Sequence, residues 1–146
     1  KLTHIPYKGA PLAMTDLISG RVDMMFDNLP TVLQNIRSGK LRALAIAGTK
    51  QTRALPNVPT LAELGIRGAE VTSWFGVLAP NGLPQPITKR LNEEIIKILS
   101  TNEVKDQLFE MGAEPFVLPT DEFNKFLDGD IKKWAKLVKD TGIHAE

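Results

Sequence analysis

Apolar positions in the first half of the chain switch repeatedly between short runs and helix-spaced stripes. Leu2-Thr3-His4-Ile5 alternates and stops at Pro6, which predicts a short strand. Pro11 to Ser19 predicts a helix, with proline in the first turn and Gly20 placed for the left-handed position just past the end. Val22 to Phe26 then reads as a mostly buried strand. Pro30 opens a second helix in which Val32, Leu33 and Ile36 share a face, and Gly39 closes it before a strand over Leu41 to Ile46. Ser19-Gly20-Arg21-Val22 and Ser38-Gly39-Lys40-Leu41 repeat the same helix-to-strand joint at an offset of 19 residues. Strands separated by single helices should lie parallel with right-handed crossovers, so the residues that follow them collect along one edge of a sheet. Those residues are Pro6-Tyr7-Lys8-Gly9, Asp27-Asn28 and Gly48-Thr49.

The second half is patterned differently. Lys50 to Gly68 is loop-rich around one short helix at Thr60 to Leu64 and reads as a connector over the lobe's surface. Val71 to Ala79 is a strand candidate interrupted by Gly76, and Pro80 to Pro84 is a turn. Three amphipathic helices follow. Ile87, Leu91, Ile95 and Ile98 make one stripe; Val104, Leu108 and Met111 make a second, capped by Thr101 or Asn102 and closed by Gly112. Phe123, Leu127, Ile131, Trp134 and Val138 make a third, with Thr120 as N-cap, Asp121 and Glu122 at the positive end, and Gly142 at the close. So many apolar helix faces need more sheet than one strand, which belongs to a preceding part of the chain or is replaced by another copy.

Composition narrows the function. The 146 residues are 42% hydrophobic and 24% charged, enough for a core and against disorder. A formal net charge of +1 leaves no footprint for nucleic acid or an anionic membrane. The charge is uneven: residues 1–72 carry nine basic and five acidic side chains, residues 73–146 nine and twelve, returning the +1 of the whole. Without cysteine there is no disulfide framework, thiolate metal site or thiol nucleophile. The two histidines, His4 in a strand and His144 in the tail, make an unconvincing metal pair. No apolar run approaches the ~20 residues of a membrane span, and the chain opens on Lys1-Leu2 without a leader, so a soluble mature protein or an excerpt is expected. No nucleophile elbow, phosphate-binding loop, dinucleotide fingerprint or zinc-protease motif occurs, and Glu93, Glu94, Asp128 and Asp130 fall on solvent faces of helices. An enzyme is disfavoured; its weakest form is a small α/β enzyme with Asp27 as base.

Several ordered blocks carry a resemblance: His4-Ile5-Pro6-Tyr7-Lys8-Gly9, Gly20 through Asn28, Gly39 through Ala45, Leu55-Pro56-Asn57-Val58-Pro59-Thr60, Ser73-Trp74-Phe75-Gly76 and Leu78-Ala79-Pro80. In order and spacing they resemble the C-terminal half of the Bug/TctC family, the extracytoplasmic solute receptors of tripartite tricarboxylate transporters. The resemblance implies an α/β fold of the type II periplasmic-binding-protein kind, with a parallel sheet and flanking helices, here incomplete. Residues 1–72 would be most of the second lobe, and residues 73–146 the return crossing and helices of the first, whose N-terminal portion is missing. It further implies a periplasmic or extracytoplasmic location, membrane permease subunits as partners, no cofactor, and hinge closure on a small carboxylate solute: a dicarboxylate, a tricarboxylate or an amino acid.

Residue chemistry points to the same edge of the sheet. Tyr7-Lys8-Gly9 lies between a strand and a helix start, where main-chain N–H groups and the positive helix end form an anion cradle; Gly9 permits close approach. The candidate solute-binding residues are Pro6, Tyr7, Lys8, Gly9, Asp27 and Asn28. Lys8 either offsets solute charge or is simply solvated. Asp27 and Asn28 first of all cap the helix at Pro30. Beyond that, Asp27 would accept from a hydroxyl or ammonium group and repel a bare dicarboxylate. Tyr7 either lines the cleft or packs on the sheet edge. Trp74 and Phe75 sit where the chain passes between lobes and are expected at the hinge or cleft wall, packed as large aromatics usually are. Trp134 is expected in a core. The competing reading is an incomplete lobe that binds nothing alone and associates with itself or with the missing half.

Overall fold

In a computed structural model, which describes residues 2–143, five helices carry the regular backbone: α1 Ala10–Ile18, α2 Leu29–Arg37, α3 Gln85–Leu99, α4 Asn102–Glu110 and α5 Thr120–Thr141. Each sits on its sequence stripe, and the ends follow local chemistry. Proline lies in the first turn of α1, α2 and α3, where a missing N–H costs nothing. Past α1, Gly20 takes the left-handed conformation (φ 75°); its N–H donates to the Leu17 carbonyl at 3.1 Å while that of Arg21 donates to the Asp16 carbonyl at 2.9 Å. These two bonds are the Schellman closure. Gly39 repeats the left-handed turn after α2 at φ 74°, so the echo in the sequence is a repeated helix end. Thr101 caps α4, its Oγ1 accepting from the Val104 N–H at 3.4 Å.

Two units divide the chain. The first runs to Gly76 and includes Asp106–Glu114; the second is Val77–Lys105 with the chain from Pro115 onward. In the first unit the core gathers where α2 meets the end of α4. Leu33 is 1% exposed, and Gly112 lies against Leu29 and Leu33. The second buried spot is in the segment expected to be a mere surface connector: Thr60 and Leu61 are both buried. There Ile46 and Thr60 form a parallel bridge, the Ile46 N–H donating to the Pro59 carbonyl at 2.8 Å and the Leu61 N–H to the Ile46 carbonyl at 2.9 Å. The expected helix at Thr60 is a single turn closed by a capping box. Thr60 N–H donates to Glu63 Oε2 at 2.7 Å, and Glu63 N–H donates to Thr60 Oγ1 at 3.2 Å.

Sheet pairing is sparse. Among the described residues the Ile46–Thr60 bridge is the sheet-type pairing present, and Leu2–Ile5, Val22–Phe26 and Val71–Ala79 run without a ladder. A strand is stable only through its neighbours, and Leu2, Phe26, Phe75, Val77 and Leu78 all lie exposed along these segments. In the second unit Phe116 packs edge-on against Phe126 with centroids 5.2 Å apart, and Asn92 Nδ2 donates to the Leu118 carbonyl at 3.3 Å. Trp134, expected in a core, is 37% exposed, as are its stripe neighbours Ile131 and Val138 to a greater degree.

Candidate functional site

The loop before α1 is built by its glycine. Gly9 is the N-cap at φ 116°, ψ 158°, and no side chain caps the helix. The first-turn N–H groups of α1 are therefore free of side-chain acceptors, at the end of the helix where partial positive charge gathers. Pro6, Lys8 and Gly9 are exposed and Tyr7 is half-buried. The Tyr7 hydroxyl donates to Asp16 Oδ2 at 2.8 Å, and Arg21 Nη1 donates to Asp16 Oδ1 at 2.6 Å. This bond packs Tyr7 back onto α1 rather than onto a sheet edge. The guanidinium of Arg21, and after it the Tyr7 hydroxyl, hold the Asp16 carboxyl below its usual range; the same hydrogen bond raises the Tyr7 phenol.

At the second loop, Asn28 occupies the N-cap of α2 in extended conformation (φ −73°, ψ 135°), but its side chain makes no cap bond. Its carbonyl instead accepts from the N–H and hydroxyl of Thr31, at 3.0 and 2.6 Å. Asp27 Oδ1 accepts from the Asn28 N–H at 2.8 Å, while Oδ2 is shielded from solvent and has no partner. The hydrogen bonds of each loop thus close locally: Tyr7 onto α1, Asp27 onto its neighbour. Trp74 is half-buried and Phe75 is 81% exposed, both near the end of the first unit.

Two grooves run along α2 and α4 in the same unit. One of about 400 Å³ is lined by Arg37, Arg53, Ala54, Asp106, Phe109 and Glu110; its larger neighbour reaches Pro30, Leu33 and Met111. The Arg53 guanidinium lies 4.5 Å over the Phe109 ring, and Arg37 Nη1 donates to the Glu110 carbonyl at 3.3 Å. None of the six loop residues lines either groove. No group of three or more metal-ligating side chains occurs among the described residues. His4 is exposed; His144 lies outside the described residues.

Sequence reasoning passed over Asp16 and Arg21. The signal was available: an aspartate in the last turn of a helix opposes the helix dipole and calls for a compensating cation, and Ser19-Gly20-Arg21 brings one back by a left-handed closure.

The fold matches an R. palustris protein solved with adipate, at TM-score 0.87 and 36% identity over 98% of this chain and 48% of that one. It also matches periplasmic binding protein BugD at TM-score 0.82 and 32% identity, over 100% of this chain and 50% of that one. MatC from Rhodopseudomonas palustris with bound malate aligns at TM-score 0.74 and 30% identity, over 92% of this chain and 47% of that one. The neighbours are periplasmic binding proteins, a class that binds and does not catalyse. The model of the tripartite tricarboxylate transporter family receptor matches residues 1–143, and the chain belongs to that family. Protein BugT of Bordetella pertussis is 40% identical over 97% of this chain. A protein from a Pseudomonas tcbD-tcbE intergenic region is 36% identical over 99% of it. The chain spans less than half the length of these two relatives, 43% and 44%. No helix among the described residues is long and apolar enough to cross a membrane.

Proposed function

We propose that this chain supplies one wall of a solute-binding cleft in an extracytoplasmic receptor that captures a small carboxylate solute and presents it to permease subunits. The first carboxylate is received by the main-chain N–H groups of Tyr7, Lys8 and Gly9, in the turn that Pro6 opens, and by the opening of α1, with Asp27-Asn28 at the start of α2 flanking it. Two or three charge-assisted hydrogen bonds of ~1.5–3 kcal/mol each anchor one carboxylate without an arginine clamp. Closure follows because a solute touching both lobes has higher affinity for the closed form. The parallel sheet, the lobe assignment of residues 1–72 and 73–146, and the hinge role of Trp74 and Phe75 belong to this reading. Its main support is the alignment of 98% of the chain with an adipate-bound protein. Calorimetric titration of a two-lobed receptor carrying this sequence, with malate, adipate, citrate and aspartate, should give saturable binding to at least one. Heats indistinguishable from dilution for every member of the panel would remove the proposal.

The large exposed surface favours a second reading for the isolated chain: it binds no solute alone and associates with itself or with the other half of a receptor.

A further inference from the structure

We propose that Asp16 is a positioning residue for the loop Pro6–Gly9. Its two carboxylate oxygens hold Tyr7 and Arg21 together and so set where the main-chain N–H groups ahead of α1 point. This rests on the reading of that loop as an anion cradle.

Three independent ties meet on Asp16. Oδ2 accepts from the Tyr7 hydroxyl at 2.8 Å, Oδ1 accepts from Arg21 Nη1 at 2.6 Å, and the Asp16 carbonyl accepts from the Arg21 N–H at 2.9 Å. Arg21 is the second residue past the helix end, and the Schellman closure delivers its side chain to the face that Asp16 presents. Tyr7 comes from the other side, nine residues earlier, so the carboxylate ties the loop before α1 to the turn after it. One consequence follows for a solute: Arg21 cancels the charge of an acid that would otherwise repel a carboxylate arriving at the loop.

An ion pair on the surface adds little to global stability, so the effect should appear in the loop and leave the unfolding midpoint nearly unchanged. Tyr7 is the only tyrosine in the chain, which makes its phenol directly visible by ultraviolet difference titration of the 146-residue chain. The phenol should titrate above its ordinary 10.0 and return to the ordinary range in both Asp16→Asn and Asp16→Ala. Backbone amide order parameters at Tyr7, Lys8 and Gly9 should fall in Asp16→Ala. Tyr7→Phe should lower them likewise, and the double variant no further, the pattern of a shared contact. In a two-lobed receptor carrying the sequence, Asp16→Ala should weaken several-fold whichever of malate, adipate, citrate and aspartate that receptor binds. Equal phenol midpoints in all three proteins, fully additive losses of order, or unchanged affinity for that solute despite a loosened loop would each overturn the role of Asp16. No response to any of the four in the unsubstituted receptor, with the phenol still raised, would instead remove the cradle reading and the role built on it.

Discussion

A methyl group at position 112 would meet Leu29 Cγ at 2.9 Å and Leu33 Cδ2 at 3.1 Å, on a backbone at φ 79°. Leu33 is fully buried and cannot give way, so Gly112→Ala combines a left-handed penalty with overpacking, about 2–4 kcal/mol together. Thermal unfolding should fall by roughly 5–15 °C. Gly20→Ala, at φ 75° with nothing within 4 Å, should cost only the backbone part, about 1–2 kcal/mol. Equal losses at the two positions would show that the α2–α4 packing is looser than described. Glu63 offers a second test at this scale. The Thr60 N–H, and after it the Thr60 hydroxyl, hold its carboxyl below the ordinary 4.5. The folded state therefore binds fewer protons than the unfolded state just below that value. The stabilisation is present in full above about pH 4.5 and is lost as the pH falls through the lower folded value. Glu63→Gln should flatten the acid limb of stability measured by urea unfolding, with little change in the shape of the profile above pH 6.

Single elements were the most legible part of the sequence, because caps and stripes are local. Gly20, Gly112, Thr101 and the Asp121–Glu122 pair mark helix ends within a residue or so of where they fall. The N-cap of α5 is Pro119 rather than Thr120. Strands were not legible in the same way. Val22–Phe26 has a strand's composition, yet a ladder depends on a second backbone that no local pattern supplies. The connector over 50–68 was misread for the converse reason: its prolines and glycines mark turns, while the burial of Thr60 and Leu61 comes from the distant Ile46 segment. Within α5, Phe126 packs against Phe116 and Phe123, whereas every residue from Ile131 to Thr141 is exposed. Lys136 pairs with Asp140 on that outer stretch. Gly129 lies where these halves meet, and a Cβ there would find open space. Gly129→Ala should stabilise the helix by about 0.5–1 kcal/mol, seen as a rise of roughly 2–4 °C in Tm. A fall would mean that another surface covers this part of α5.

At the scale of the whole molecule, the dominant physical fact is the number of large apolar side chains left exposed among the described residues. Leu2, Phe26, Phe75, Val77 and Ile131 each leave more than half of their surface open, and each Å² kept in water forgoes about 25 cal/mol. Light scattering of the isolated chain should therefore report a mass above 16.1 kDa, rising with concentration. Adding the other half of a receptor should replace self-association with a one-to-one complex. A stable monomer at all concentrations would count against the incomplete-lobe reading. The amino-acid pattern alone settled the helices, the glycines that close them and the family, since those depend on neighbours in the chain and on blocks in fixed order. The Asp16 clamp, the burial of Thr60, the exposure of Phe75 and Trp134 and the parallel bridge between Ile46 and Thr60 were decided by packing. Each depends on which distant atoms arrive beside a residue, and hydrophobic periodicity carries no record of that.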